Sequence, residues 1–345
     1  MTDSDELRAL RESVRALLAK RSDVRAAIET PLGYDDKLWS TLCEQIGVAA
    51  LAIPESYGGI GAGPAALAVV LEELGRTLTP CPMLGSVLFT QALLATGNTE
   101  ACARLLPGIA DGSQVGAVAW AGESGWASPG CAVSGSIVDG SARYVLDGDF
   151  ADILLVLART GDDAGLFEVS TSDVSRRLTP GMDPTRRLAA VDFSGTPATR
   201  LDRGGFPVET LRNSMWAALA AEQVGVAGRA LELTVEYTKQ RRQFGRPIGS
   251  FQALKHRMAD VFVRVEAARS AALAALSGQA EDAAMAKVVC SEAAEFATAE
   301  MIQLHGGIAI TWEHDAHLYF KRAQGSGQLF GAVREAVESR EWAGS

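Results

Sequence analysis

Short β-prone runs in the middle of the chain, flanked by long helical patterns, constrain its fold more than any other feature. Before about residue 112, apolar residues recur at intervals of three and four, which is the period of a helix with one buried face. One such stripe consists of Leu7, Leu10, Val14, Leu17 and Leu18. Similar patterns cover residues 38–46 and 65–74, and Gly75 stands where a helix is expected to stop.

The β-prone segment extends from about residue 114 to residue 207. Its short apolar runs are separated by Gly, Asp and Ser, which favour turns. These runs are residues 115–120, 132–138, 153–158 and 191–193. This spacing predicts a small antiparallel barrel or sandwich, and Pro207 marks the return to helix.

After Pro207 the pattern is helical again. Long amphipathic stretches cover residues 211–239, 249–278 and 281–304. Small residues recur on the first stretch at Ala217, Ala221 and Gly225, which would let another helix approach closely. We therefore predict an α+β, mainly α, protein with three domains. They are an N-terminal helical domain (1–112), a middle antiparallel β-barrel (113–207) and a C-terminal helical domain (208–345).

Composition excludes several classes of function. The net charge of −10 and the lack of a long basic block argue against nucleic acid and anionic membranes as partners. No apolar run approaches the 18 or so residues of a membrane span, and the acidic N-terminus is unlike a signal peptide, so we expect a cytoplasmic protein. The five scattered cysteines predict buried thiols rather than disulfides or zinc, and we expect no metal site.

One glycine-rich motif suggests a dinucleotide site but lacks its context. Residues 58–66 contain G-x-G-x-x-A followed by a helix. A dinucleotide fold needs a preceding strand and an acidic residue at the end of a second strand, whereas Glu72 and Glu73 lie in the same predicted helix. We interpret the motif as a turn that leads into a helix, with Pro64 near its first position.

Two later segments carry groups that suit a pyrophosphate-containing ligand. Arg241 precedes a Phe244–Gly245 turn and can offer a bidentate guanidinium, while Phe244 offers an apolar face. Gly306 and Gly307 leave backbone N–H groups free to approach a ligand. Taken alone, Arg241 could simply be a solvated helix end, and the glycine pair a helix cap.

Together, these segments resemble the acyl-CoA dehydrogenase family. The resemblance rests on residues 54–59 and 72–76, on residues 237–252, and on residues 303–313, and it covers essentially the whole chain. It implies two helical domains around a β-barrel, the C-terminal one a four-helix bundle, and tetramers that share FAD across subunit interfaces. The cofactor contacts implied are Arg241, Phe244, Gly245, Gln252, Gln303, Gly306, Gly307, Ser326 and Gln328.

The resemblance also exposes a gap where the catalytic base should be. The family uses a glutamate to remove an α-proton from an acyl-CoA while hydride passes to the flavin, and it places that glutamate at one of two positions. Gln324 occupies the later position and Met215 the earlier, and neither can accept the proton. Leu146 stands where the family has a flavin-contacting threonine. Glu222 is a candidate for a displaced base, or an ion-paired residue facing Arg229 or another subunit; Glu123 is a weaker candidate.

These departures leave several hypotheses. The chain resembles the shorter subunit of heteromeric (α2β2) acyl-CoA dehydrogenases of actinobacterial sterol catabolism, in which an unlike partner carries the glutamate. Alternatively, it is a homo-oligomeric dehydrogenase that uses Glu222, a structural subunit without flavin, or a flavin monooxygenase on the same fold. The resemblance implies an acyl-CoA substrate, a steroid-derived ester among the options, and an electron-transferring flavoprotein as a partner.

Overall fold

A computed structural model of the chain describes residues 5–338; our expectations for residues 1–4 and 339–345 lie outside that range. The first part of the chain is helical, as predicted. Its helices are α1 (Asp5–Arg21), α2 (Val24–Ile28), α3 (Asp36–Ile46), α4 (Gly63–Thr77), α5 (Met83–Ala95) and α6 (Thr99–Ala110). The predicted stripe of α1 faces this helical core: Val14 and Leu18 are buried, and Leu7, Leu10 and Leu17 pack against it.

Helix α4 corrects one prediction. It begins at Gly63 with Pro64 in its first turn, as expected, but it continues past Gly75 to Thr77. Gly75 has a different role, because a methyl group added there would lie 2.2 Å from the carbonyl oxygen of Glu222. The glycine therefore allows a second helix to cross α4 closely.

The middle of the chain forms a barrel-like sheet that is mainly antiparallel. Its strands are β1 (Gly116–Ala119), β4 (Cys131–Ser134), β5 (Ile137–Leu146), β6 (Ile153–Thr160), β7 (Asp163–Val169), β8 (Ser175–Leu178) and β9 (Leu188–Arg200). The short strands β2 (Ala121–Gly122) and β3 (Gly125–Pro129) form a separate pair. Strand β6 pairs in parallel with β1 and with β4, so the sheet is mixed.

One predicted strand is in fact a hairpin. Residues 132–138 are divided between β4 and β5, and Ser134 pairs with Ile137 across a two-residue turn. Gly135 in that turn has φ of 63°, a left-handed conformation that favours glycine. The apolar residues on each side of the Gly-Ser pair are few. Their alternation therefore did not show that the chain reverses direction at this turn.

The last part of the chain is a helical bundle. Its helices are α7 (Val208–Gln240), α8 (Gln252–Ala275), α9 (Ala280–His305), α10 (Ala316–Gln328) and α11 (Val333–Glu338). Helices α7, α8, α9 and α10 pack on one another, and α4 packs along α7. At that crossing Gly225 plays the part predicted for small residues, since a methyl group there would lie 2.0 Å from the carbonyl oxygen of Glu72.

Two composition-based expectations can be compared with the structure. All five cysteines are free; Cys43, Cys102, Cys131 and Cys290 are buried and Cys81 is half-buried. Burial raises the pKa of the Cys43 thiol to about 12, so it is protonated near neutrality. Between residues 5 and 338, no helix is long and apolar enough to cross a membrane.

Candidate functional site

The segment after α7 is an exposed hairpin that projects from the bundle. Strands β10 (Arg242–Gln243) and β11 (Arg246–Pro247) pair antiparallel, and Gln243 faces Arg246 across a two-residue turn. Both turn residues are left-handed, with φ of 52° at Phe244 and 78° at Gly245. That conformation is unfavourable for a phenylalanine, and its side chain is 90% exposed. Its ring packs edge-on against Phe251, with centroids 6.1 Å apart.

One cation of this hairpin, Arg241, is available to an external group. Arg241 is exposed, and its side chain makes no hydrogen bond or ion pair with any residue in 5–338. Arg242 donates to the carbonyl of Gly245 at 2.9 Å, and Arg246 lies over the Phe251 ring at 3.9 Å. Gln252, the first residue of α8, is also exposed. The hairpin therefore offers at least one guanidinium for a bidentate contact with phosphate.

The second predicted segment lies at the C-terminal end of α9. Gln303 is exposed on the last turn, and the helix ends at His305. Gly306 has φ 68° and ψ −146°, a region that only glycine adopts readily. A methyl group added at Gly307 would meet no atom within 4 Å. The second glycine is therefore not required by packing inside the chain, and its open side is free for a ligand.

These two segments, about sixty residues apart in sequence, lie side by side. The hydroxyl of Tyr237, one turn before Arg241, donates to the carbonyl of His305 at 3.2 Å. The two rings are stacked with centroids 4.3 Å apart. The structure thus joins the Arg241 hairpin and the Gly306–Gly307 turn at one end of the bundle.

The two cofactor contacts predicted on α10 differ in their exposure to solvent. Gln328 is exposed at the end of α10, but Ser326 is fully buried. The hydroxyl of Ser326 donates to the carbonyl of Ala323 at 3.1 Å and accepts from Gln223 Nε2 at 3.2 Å. This corrects the expectation for Ser326, because its side chain is a core hydroxyl of the bundle and is closed off from an external cofactor.

The candidate base Glu222 is held in a buried ion-pair network. Its carboxylate accepts hydrogen bonds from Arg186 and, at 3.1 Å, from Nη1 of Arg322. Arg322 also donates to Asp183 at 2.8 Å. One oxygen of this carboxylate, Oε1, is therefore engaged by two buried guanidinium groups, an arrangement typical of a structural ion pair. Its partners also correct the expected pairing with Arg229, which instead pairs with Glu232.

A small cavity borders this network. Its volume is about 30 Å³, and its lining includes Tyr34, Leu146, Asp147, Arg186 and Arg322. That is space for one or two water molecules and far less than a flavin ring requires. Leu146, the replacement for the family's threonine, is buried at its edge. Burial raises the pKa of the Asp147 carboxyl to about 7.

The alternative base position is closed by aromatic side chains. Met215 is fully buried on α7. Next to it, Trp216 donates through Nε1 to the carbonyl of Phe330 at 3.0 Å. The Phe330 ring packs against Trp126, with centroids 4.9 Å apart, and Trp126 packs against Trp120.

The other residues considered for the catalytic base lie elsewhere in the middle domain and on α10. Glu123 is on the turn between β2 and β3, where its side chain is 83% exposed and 3.4 Å from Arg143. Gln324 is half-buried on α10. Among the described residues no cluster of three His, Cys, Asp or Glu side chains is arranged to hold a metal. Sequence reasoning missed Arg186, Arg322 and Phe330, because their partners are distant in the chain and no local pattern marks them.

The sequence comparisons identify the class of protein that this fold and site define. Residues 4–113 match the family described as acyl-CoA dehydrogenase, N-terminal domain, and residues 209–332 match acyl-CoA dehydrogenase, C-terminal domain. The chain belongs to the acyl-CoA dehydrogenase family, oxidoreductases that act on a CH–CH bond. The fold confirms the predicted class: N-terminal helices, a middle barrel-like sheet and a C-terminal bundle.

Individual relatives are similar over almost their full length. The chain is 45% identical to acyl-CoA dehydrogenase IpdE2 of Mycolicibacterium smegmatis, over 98% of each protein, and 46% identical to IpdE2 of Mycobacterium tuberculosis, over 99% of each. Among solved structures it is similar to a variant of the Tcur3481–Tcur3483 steroid ACAD (30% identity, TM-score 0.89, 98% and 97% coverage). It is also similar to a chain of the ChsE4–ChsE5 complex from Mycobacterium tuberculosis (28% identity, TM-score 0.88, 98% and 96% coverage).

Proposed function

We propose that this chain is one subunit of a heteromeric, FAD-dependent acyl-CoA dehydrogenase whose unlike partner supplies the catalytic glutamate. This proposal rests mainly on the contrast between the exposed segments at one end of the bundle and the interior of the chain. The hairpin at Phe244 and the turn at Gly307 are open to the outside, whereas the candidate base Glu222 is ion-paired inside the chain to Arg186 and Arg322. Such a chain is suited to complete a flavin site on a neighbour rather than to build one alone.

The residues at the exposed end fit a flavin dinucleotide. When bound, FAD supplies the acceptor for the hydride removed from the substrate. Arg241 has the free guanidinium to neutralise its pyrophosphate, and the open backbone at Gly307 can donate to phosphate or ribose oxygens. Phe244 offers an apolar face to the adenosine. The proposed set also includes Gly245, Gln252, Gln303 and Gln328, which are exposed.

The substrate and partners follow from the same comparison. One structural relative is named as the ChsE4–ChsE5 complex, and the other, Tcur3481–Tcur3483, is named as a steroid ACAD. We therefore assign a steroid-derived acyl-CoA thioester as the substrate class, a second acyl-CoA dehydrogenase-like chain as the partner, and an electron-transferring flavoprotein as the electron acceptor. The ion pairs of Glu222 argue against the alternative in which this chain provides its own base.

Co-expression with a candidate partner tests this proposal. We expect a stable complex with one FAD per pair of unlike chains, and bleaching of the flavin by an acyl-CoA. Arg241→Ala should lose most of the FAD, while Arg229→Ala, which removes a guanidinium paired on the same helix, should retain it. A complex that retains stoichiometric FAD in the Arg241→Ala variant would refute the assignment of this hairpin to the flavin site.

A further inference from the structure

Three aromatic rings lie beneath the Gly306–Gly307 turn. Tyr237 of α7 stacks on His305 of α9 at 4.3 Å, and His314, in the loop before α10, lies 4.6 Å from His305 between ring centroids. His314 also packs edge-on to Tyr237 at 6.4 Å. The cluster connects the end of α7, the end of α9 and the loop that follows the glycines.

The hydrogen bonds of this cluster define its protonation state. Nδ1 of His305 lies 2.8 Å from the carbonyl oxygen of Met301, so it carries the proton and donates. Nε2 is buried and has no hydrogen-bond partner among the described residues. Burial lowers the pKa of His305, which keeps the ring neutral near pH 7. Nδ1 of His314 accepts from the backbone N–H of Ala316 at 3.1 Å.

The bond between Tyr237 and His305 has a geometric consequence. It fixes the last carbonyl of α9 against α7, one turn before Arg241. Gly306 follows directly, in a glycine-specific conformation that ends α9 and begins a short 3-10 helix, Gly306–Ile310. The stack therefore sets the separation between the guanidinium hairpin and the open glycine backbone, the two parts that a dinucleotide would have to bridge.

We propose that Tyr237, His305 and His314 are positioning residues that hold the Gly306–Gly307 turn in register with Arg241 for flavin binding, and that the stack requires a neutral His305 ring. This inference rests on the proposed function. Protonation of His305 would create a buried N–H with no acceptor, beside His314, the other titratable imidazole in contact with it, and Tyr237. Flavin affinity should therefore fall as the pH is lowered from 7 to 5.

The test uses the complex of this chain with its partner and measures the FAD dissociation constant by flavin fluorescence at pH 5, 6 and 7. Tyr237→Phe keeps the stack but removes the hydroxyl, and we expect about three- to tenfold weaker binding. His305→Phe keeps an aromatic ring and should abolish the pH dependence. His256→Phe is the matched control, because His256 is exposed on α8 and should leave the affinity and its pH profile unchanged.

The outcomes separate this inference from the proposed function. Unchanged affinity in Tyr237→Phe, an unchanged pH profile in His305→Phe, or tighter binding in acid would overturn the positioning role. If Arg241→Ala loses FAD while both ring variants keep it, only this inference fails; if Arg241→Ala also keeps it, the proposed function fails. Should His305→Phe not assemble, the Tyr237→Phe affinity decides the question, with the melting temperature of the flavin-free complex as a check on folding.

Discussion

Nη1 of Arg322 lies 3.1 Å from Oε1 of Glu222, joining α10 to α7 inside the protein. Arg186 reaches the same carboxylate oxygen from the loop before β9. Glu222, the candidate for a displaced base, thereby joins the barrel and the bundle.

We predict that Glu222→Gln lowers stability but does not remove the chemistry. The change leaves two buried guanidinium groups short of one counter-charge, which costs about 3–5 kcal/mol for a broken buried pair. Urea unfolding measures this cost, and flavin bleaching of the assembled complex should persist. Glu123→Gln, at an exposed pair, is the control and should change stability by less than about 1 kcal/mol. Loss of bleaching in a folded, FAD-containing Glu222→Gln complex would restore Glu222 as the base.

The buried Asp147 should make stability depend on pH. Its pKa rises from 3.8 to about 7 on folding, so the folded state holds its proton more tightly and the penalty for ionising it grows from pH 4 to pH 7 and persists above. Asp147→Asn should therefore raise the free energy of unfolding more at pH 8 than at pH 5, by at least about 1 kcal/mol. Asn also tolerates the left-handed backbone at this position, φ 56°. Equal effects at the two pH values would contradict this account.

Gly307→Ala should separate folding from cofactor binding. The glycine has open space around it, so the chain itself should accept a methyl group with little loss of stability. The same methyl group should obstruct a ligand that approaches the backbone at this point, so we expect weaker FAD binding by the complex. Gly225→Ala is the contrasting variant and should destabilise the fold. Its methyl group would collide with the carbonyl oxygen of Glu72, which should lower the free energy of unfolding by roughly 1–3 kcal/mol. Unchanged FAD affinity in Gly307→Ala would remove this residue from the site.

We predict that Lys287 stabilises the turn that contains Phe330. Its buried ammonium donates to the carbonyls of Gly327 and Leu329, both at 2.9 Å, although burial lowers its pKa to about 7. Lys287→Met leaves these oxygens unpaired at the end of α10, which should cost about 2 kcal/mol or more. The fluorescence of Trp126 and Trp216, which contact Phe330, should change as the turn loosens. Wild-type stability and fluorescence in this variant would contradict the role.

Much of the architecture was predictable because it depends on local patterns. The stripe from Leu7 to Leu18 and the turn residues of the middle segment repeat at short intervals, so their period identifies the elements. Gly75 was misread because a glycine inside a helix and one at its end look alike until the neighbouring helix is known. Its partner, α7, lies about 150 residues away in the chain.

The candidate site was predictable in part for the same reason. Arg241 and Gly306 stand within recognisable motifs, whereas the pairing of Glu222 with Arg322 joins residues 100 positions apart. A single sequence gives no period or spacing for such a pair. The burial of Ser326 was also missed, since its place in α10 follows from packing against Gln223.

The most direct test of the central claim is calorimetric titration of the purified chain alone, and of its complex with the partner, with FAD. We predict no stoichiometric binding to the chain alone, because the residues proposed to hold FAD, Arg241 and Gly307 among them, lie on its open surface, and one FAD per pair in the complex. Stoichiometric FAD binding by the isolated chain, with bleaching by an acyl-CoA, would contradict it.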